Sequence, residues 1–188
     1  MEIINVLHNE LVSSDIIQNL TAIEGSGQLF ASAYDTINGP TINVRTPFNP
    51  GIEINILIEN FSNELNDEYL EGLYEIPVDY NNSTIIDIEM EESLIVVLVD
   101  VGPLNRLIMV DTLTGNQEMI SNPLWPSESP SIEGNYIAFL QRPITSPTIN
   151  LDPENFNRDV FLWNIEDNNG RIQITLDDLD QENPHVLD

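Results

Sequence analysis

Short apolar segments separated by turn-forming residues constrain the fold of this chain more than any other feature of its sequence. The segments are rich in Ile, Val and aromatic residues, and Asn, Gly, Pro and Asp interrupt them repeatedly. This rhythm is typical of all-β proteins. The predicted strands are Gln28–Tyr34, Glu53–Glu59, Leu94–Asp100, Leu107–Asp111, Gln117–Ser121, Asn135–Gln141, Asp159–Asn164 and Arg171–Thr175.

One segment departs from the strand pattern. Between Ser62 and Leu73 the apolar residues Leu65, Tyr69 and Leu70 recur at helical spacing among acidic residues. Two interpretations stay open for this segment, a short helix and an irregular acidic insertion.

Two predicted hairpins look like copies of each other. Gly115 and Gly170 supply the residue that tolerates positive φ between strands 107–111 and 117–121 and between strands 160–164 and 171–175. Ser121 and Thr175, which close the two hairpins, each precede a proline by nine residues. The similarity indicates an internal repeat.

Similar sequences begin at four anchor positions, Ile23, Ile88, Ile132 and Val186, with spacings of 65, 44 and 54 residues. A unit of about 44 residues with four short strands has the size of a β-propeller blade. We therefore expect residues 1–188 to form a single all-β domain, a partial β-propeller of about three four-stranded antiparallel blades. Because the sequence begins and ends inside the repeat, we expect it to be a fragment of a larger propeller.

Residues 129–188 carry an ordered series of motifs. These are Asp159 to Ile165, then Gln173-Ile174-Thr175, then the turn Asp180 to Pro184. The series resembles the TolB-like β-propeller repeats of archaeal and bacterial cell-surface and periplasmic proteins. The resemblance is looser over 86–128, where Pro126 to Pro130 replaces the Asp-Gln turn, and weaker still before 86. It implies a binding or scaffolding module that acts outside the cell, at its surface or in the periplasm.

Charge narrows the classes of partner. The chain has 32 acidic residues against 5 arginines and no lysine, for a formal charge of −27. Such a charge repels nucleic acid and anionic membranes, and no apolar run approaches the roughly 20 residues that cross a bilayer. A protein or glycan partner, a basic surface or divalent cations remain. The acidic bias also has two interpretations, an adaptation to a marine or salty environment and an acidic face for a basic partner.

The densest acidic segment is a candidate Ca²⁺ site. It contains Asp177, Asp178, Asp180 and Glu182, and Ca²⁺ is bound by six to eight oxygens from carboxylates and carbonyls. The spacing differs from that of an EF-hand loop. The alternative is that Asp180 bonds backbone amides in a turn while its neighbours face solvent.

A second candidate Ca²⁺ site groups Asp152, Glu154 and Asp159 in and beside the inserted stretch 143–158. The two tryptophans have different expected roles. Trp125 lies between two prolines and is the predicted contact residue for a partner, whereas Trp163 lies on a strand and is expected to pack between blades.

No catalytic residue is predicted. The chain has no cysteine, which excludes thiolate chemistry and disulfides, and no Gly-x-Ser-x-Gly motif. Paired carboxylates serve glycosidases, but 32 acidic residues make such pairs unspecific. Two rival hypotheses stand beside the binding module. The chain is the propeller part of a glycosidase or of a gated peptidase, or it is a surface-layer or adhesin segment stiffened by Ca²⁺. No N-terminal signal-peptide pattern is present in the sequence as given.

Overall fold

We analysed a computed structural model of the chain. It describes residues 17–26, 29–36, 39–45, 53–58, 83–101, 105–122, 125–142, 157–167, 170–176 and 179–186. These residues form twelve β-strands in three four-stranded antiparallel sheets, and no helix occurs among them. The expected all-β class and the four-stranded antiparallel sheets are therefore confirmed. The segment 62–73, with its two interpretations, lies outside the described residues.

Each sheet is a meander whose strands hydrogen-bond in chain order. The first sheet contains β1 (Ile17–Ser26), β2 (Leu29–Thr36), β3 (Gly39–Arg45) and β4 (Glu53–Leu57). The second contains β5 (Thr84–Glu91), β6 (Leu94–Asp100), β7 (Asn105–Asp111) and β8 (Gln117–Met119). The third contains β9 (Ser127–Glu133), β10 (Tyr136–Gln141), β11 (Asp159–Asn164) and β12 (Arg171–Gln173).

The predicted strands match eight of the observed ones, and two of them, β6 and β11, agree at both ends. Both predicted hairpins are confirmed, because β7 pairs with β8 and β11 pairs with β12. Gly115 and Gly170 adopt φ values of 76° and 82° in their turns, a conformation that L side chains rarely take. Four strands, β1, β3, β5 and β9, were not predicted. Three of these are the first strands of their sheets.

The second sheet lies between the other two and is covered on both faces. Ile95, Val97 and Val99 of β6 belong to a cluster with the first sheet. Val96 and Leu98 belong to a cluster with the third sheet. Because successive side chains of a strand point to opposite faces, burial of both faces requires the uninterrupted apolar run that β6 carries.

The first cluster fills the space between the first and second sheets. Its buried residues are Ala31, Ala33, Ile42, Val44, Ile56, Ile58, Ile85, Ile88, Met90, Ile95, Val97, Val99, Val101, Ile108 and Val110. The second cluster fills the space between the second and third sheets. Its buried residues are Val96, Leu98, Leu107, Ile120, Ile137, Phe139, Phe161 and Trp163. Trp163 therefore packs between sheets, as its place on a strand predicts.

The first strand of every sheet has a β-bulge at the same point of the repeat. The register shifts between residues 20 and 22 in β1, between 85 and 87 in β5, and opposite Phe139 in β9. The repeat anchors Ile23, Ile88 and Ile132 follow directly after these bulges. A bulge bends a strand and increases its twist. The three first strands also lie side by side, since β5 contacts both β1 and β9.

We expect the contact between the second and third sheets to depend strongly on Phe139. This residue is fully buried in the second cluster, between the two sheets, and its ring stacks on that of its cross-strand neighbour Phe161 with centroids 6.0 Å apart. Phe139→Ala should lower the free energy of unfolding by about 3–5 kcal/mol, through lost burial and the cavity that remains. The matched control is Leu113→Ala, because Leu113 is 80% exposed. Urea unfolding of both variants measures the difference, and equal losses would contradict this packing.

Candidate functional site

The strands of the third sheet converge on a set of polar residues at one end. Ser127 begins β9, Gln141 ends β10 and Asp159 begins β11, and Gln141 pairs with both of the others in the ladder. We call this end of the sheets the loop end, because the connections 58–83 and 142–158 join strands there. In the third sheet and its connection from the second sheet, the described residues of the loop end are 120–122, 125–128, 141–142, 157–159, 174–176 and 179–186.

The side-chain amide of Gln141 organises the connection between the second and third sheets. It is fully buried, and its Nε2 donates to Ser127 Oγ at 2.9 Å and to the Trp125 carbonyl at 3.3 Å. It also lies 3.4 Å from the Asn122 carbonyl, and its Oε1 accepts from the Asn122 N–H at 3.3 Å. Because a buried amide without partners costs about 1–3 kcal/mol, these bonds hold the connection in one conformation.

Trp125, the predicted contact residue, lies in this connection. Its side chain is half-buried and packs against the second cluster. Its ring is tilted by 55° to that of Phe161, with centroids 5.8 Å apart. Its backbone N–H donates to the Asn122 carbonyl at 3.1 Å. The binding role of Trp125 stays a prediction, and the structure shows that the residue is also part of the core.

A network of ion pairs crosses the loop end around Arg158. Its guanidinium donates to Asp180 through Nε at 2.8 Å and through Nη2 at 2.6 Å, and its backbone N–H donates to Asp180 at 2.9 Å. Nη1 contacts Glu128 at 3.3 Å, and Nη2 lies 3.7 Å from Glu182. Glu128 in turn pairs with Arg142 at 3.2 Å. The network therefore ties β9 to the segments that follow β10 and β12.

The charges in this network stabilise each other. The hydrogen bonds that Arg158 donates from its guanidinium and from its backbone lower the pKa of Asp180 to about 2. The same contact with Asp180, and then that with Glu128, raise the pKa of Arg158 above its ordinary value. Asp180 is half-exposed, so solvent screens the pair and limits its contribution to stability.

Asp159 has a structural role at the start of β11. It is buried, and its carboxylate accepts from Gln173 Nε2 at 2.8 Å and from Thr175 Oγ1 at 3.1 Å. Thr175 Oγ1 also accepts from the Val160 N–H at 2.9 Å. These contacts explain why Asp159 and the Gln173-Ile174-Thr175 motif occur together in the sequence.

The same hydroxyl contact occurs in the second sheet. There Ser121 Oγ accepts from the Leu107 N–H at 3.0 Å. The backbone bonds beside it also match, since Ile120 N–H donates to the Leu107 carbonyl and Ile174 N–H donates to the Val160 carbonyl. Ser121 and Thr175 are therefore equivalent in three dimensions, and so are Ile120 and Ile174.

Three of the residues in the two candidate Ca²⁺ sites are described by the structure. Asp177 and Asp178 of the first site, and Asp152 and Glu154 of the second, lie outside the described residues. Their described partners Asp180 and Glu182 contact Arg158, and Asp159 contacts Gln173 and Thr175. Within the described part of the chain, no group of three or more acidic or histidine side chains could hold a metal ion. Calcium binding at either site stays a prediction.

A second group of acidic residues lies where the first strands of the first two sheets meet. Partial burial, and then the nearby carboxylates of Glu24 and Asp87, raise the pKa of Glu89 above its ordinary value. Glu24 belongs to β1, whereas Asp87 and Glu89 alternate with buried residues on β5. Partial burial also raises the pKa of Asp35 on β2, although the Ile85 N–H donates to its carboxylate. We call Glu24, Asp35, Asp87 and Glu89 the seam acids.

Sequence reasoning did not single out the seam acids, Gln141 or Glu128. The alternation of Asp87, Glu89 and Glu91 with Ile88 and Met90 is a strand signal that could have placed β5 and its acidic face. No local signal distinguishes Gln141 from any other polar residue at the end of a strand.

Comparisons with known proteins do not assign a family. No protein-family model matches the chain, and no curated protein matches it. The resemblance to TolB-like repeats therefore stays a prediction from the sequence motifs, which are clearest in 129–188. In the part of the chain that the structure describes, no helix is long and apolar enough to cross a membrane.

The Arg158 network predicts a pH-dependent stability. Because the pKa of Asp180 is depressed in the folded state, its contribution is present above about pH 3.8 and is lost as the pH falls towards 2. Asp180→Asn should lower the stability at neutral pH by about 1 kcal/mol. The deficit should shrink near pH 2. Thermal melts at both pH values measure it, with Glu166→Gln, in an exposed turn outside the network, as the control of equal charge. A loss of stability in Asp180→Asn that is the same at both pH values would contradict a stabilising role for the charged Asp180–Arg158 pair.

The seam acids predict the opposite pH dependence. Because the pKa of Glu89 is raised, its favourable contribution is full below about pH 4.5 and is lost as the pH rises through the folded-state pKa. Glu89→Gln should therefore raise the melting temperature at pH 7 by about 1–3 °C and have no effect near pH 3. Glu166→Gln, which removes one charge from an exposed turn, is the control. An equal rise of the melting temperature in both variants would mean that the effect comes from the lower net charge and not from the position of Glu89.

Proposed function

We propose that the three sheets are consecutive blades of a β-propeller of the TolB-like type, and that the chain is a non-catalytic interaction module. In a propeller each blade is a four-stranded meander, and the blades pack face to face around an axis. The meander order, the two clusters between sheets and the adjacent first strands β1, β5 and β9 support this proposal. The shared position of the bulges supports it further, because it makes the sheets copies of one unit.

The observation that carries the functional part of the proposal is the rigid construction of the loop end. Gln141 and Arg158 hold the connections beside them with bonds to side chains and to the backbone. The two longest connections, 58–83 and 142–158, leave from this end. Binding residues commonly lie on loops that a rigid scaffold positions. We therefore place the interaction surface at the loop end, with Trp125 and the stretch 143–158 as its parts.

The charge of −27 defines the chemistry of the partner. A protein with a basic surface, or a glycan whose recognition is strengthened by bound cations, fits this charge, whereas nucleic acid does not. We propose that the module acts at the cell surface, outside the cell or in the periplasm. There a high density of carboxylates also keeps a protein soluble and monomeric.

Binding assays on arrays of glycans and of basic secreted proteins test the proposal. We expect saturable binding to a member of these classes that is weakened at least tenfold, about 1.4 kcal/mol, by Trp125→Ala or by deletion of 144–157. Leu113→Ala, at the opposite end of the sheets, is the control. The deletion of 144–157 should leave the melting temperature within a few degrees of that of the parent chain. Trp125→Ala also removes packing against the second cluster, so its binding is measured at a temperature at which circular dichroism shows the variant to be folded.

Two results would overturn the proposal. One is turnover of chromogenic glycosides or peptides that a single carboxylate substitution abolishes, because this would make the chain a hydrolase. The other is binding that neither change at the loop end weakens.

A further inference from the structure

An apolar stripe is exposed on the last strand of the third sheet and on the residues that follow it. It consists of Ile172, Ile174 and Leu176, which are 55%, 55% and 86% exposed. Because alternate residues of an extended chain point to one side, the three side chains face the same way. We call them the outer stripe. Exposure of three neighbouring large aliphatic side chains is unfavourable in water, and such a patch usually marks a contact surface.

The second sheet shows what covers this position of the repeat. Ile120 is the counterpart of Ile174, since both N–H groups donate to the carbonyl of the equivalent residue in the neighbouring strand. Yet Ile120 is fully buried, because the third sheet packs over it in the second cluster. The covering face contains Ile137, Phe139 and Phe161. The outer stripe is thus the continuation of an interface that the structure already contains.

A polar contact accompanies each of the two existing interfaces between sheets. Gln117 Nε2, at the start of β8, donates to the Leu57 carbonyl at 2.8 Å. Arg171 Nη1, at the start of β12, donates to the Ile120 carbonyl at 3.3 Å. In each case a long donor at the start of a fourth strand reaches the end of the preceding fourth strand. If a further sheet packed after the third one, a Gln or Arg at the start of its fourth strand would donate in the same way to the end of β12.

We propose that the outer stripe docks a further four-stranded antiparallel sheet of the same repeat. That sheet presents an aliphatic and aromatic face like that of β10 and β11, and a Gln or Arg at the start of its fourth strand. Val186 supports this position for the sheet, since its N–H donates to Ser131 Oγ on β9 at 3.4 Å. Val186 is the repeat counterpart of Ile132, so the described segment 179–186 lies where a next first strand begins.

A second copy of this chain is a poor occupant. The face of its first sheet that points away from the second sheet contains a polar network in which Asn43 donates to Asn55 at 2.8 Å and Arg45 donates to Asn43 at 3.1 Å. Asn55 is exposed, and covering its amide with aliphatic side chains would cost the hydrogen bonds that it makes with water. Two chains of charge −27 also repel each other.

The inference rests on the proposed function, because it treats the sheets as units of one series. Its test uses the absence of cysteine from the chain. Ile174→Cys introduces a single thiol into the outer stripe, and its rate of modification by a maleimide reports its exposure. Leu113→Cys is the exposed control, and Ile120→Cys is the buried reference.

The full chain carrying each substitution is compared with a version that has a copy of residues 133–188 joined directly after Val186. This copy continues the repeat in register. In the extended chain, modification of the Ile174→Cys thiol should slow at least about tenfold, towards the rate of Ile120→Cys, because packing protects buried groups. The Leu113→Cys rate should not change. Replacing Phe139 and Phe161 by Ser in the added copy alone should abolish the protection.

Three results would overturn the inference. The Ile174→Cys thiol could stay fully reactive in an extended chain whose far-ultraviolet circular dichroism shows the added strands. The added copy could remain unfolded on the stripe. Protection could appear in the unextended chain and grow with its concentration, which would make a second copy the occupant. The inference depends on the proposed series of blades and not on the proposed binding role. The array assay measures binding alone, so a failure of the array assay leaves this inference standing, and a failure here leaves the binding role at the loop end standing.

Discussion

Burial of the second sheet on both faces is the interaction on which the rest of the structure depends. Ile95, Val97 and Val99 bring the first sheet against one side, and Val96 and Leu98 bring the third sheet against the other. Apolar burial is the largest favourable term in folding, and neither flanking sheet has a second apolar cluster among the described residues. The adjacency of the first strands and the Gln117 and Arg171 contacts between sheets follow from this stacking.

The polar interactions at the loop end differ in how much they stabilise the structure. Gln141 is fully buried, so its amide must find partners or cost about 1–3 kcal/mol. The Arg158 pairs are partly exposed, and each contributes about 1 kcal/mol or less. The conformation of the connection between the second and third sheets therefore depends more on the amide than on the ion pairs. The ion pairs instead attach the segment after β12 to β9, where the repeat would continue.

The charge of −27 is distributed less evenly than the sequence indicates. Turns and connections carry many of the acidic residues, but the seam acids lie on strands. Partial burial, and then the charges of Glu24, on the neighbouring sheet, and of Asp87, on the same strand, raise the pKa of Glu89. Apolar residues alternate with them on β5, so the strand packs on one face and concentrates negative charge on the other. The carboxylates of Glu24, Asp87 and Glu89 therefore repel one another where the first two sheets meet, and this repulsion opposes the packing of the two sheets.

Local rules in the sequence were sufficient for the all-β class, the β6 and β11 strands and the hairpins at Gly115 and Gly170, because side-chain alternation and turn chemistry act over a few residues. They missed β9, whose Pro130 and three serines give no apolar run. Only the tertiary structure decided that Arg158 pairs with Glu128 and Asp180, and that Ile120 is buried while Ile174 is exposed. The physical reason is that 32 carboxylates compete for five arginines, and that a strand face is buried or exposed according to what packs on it. Both outcomes depend on which distant strands meet.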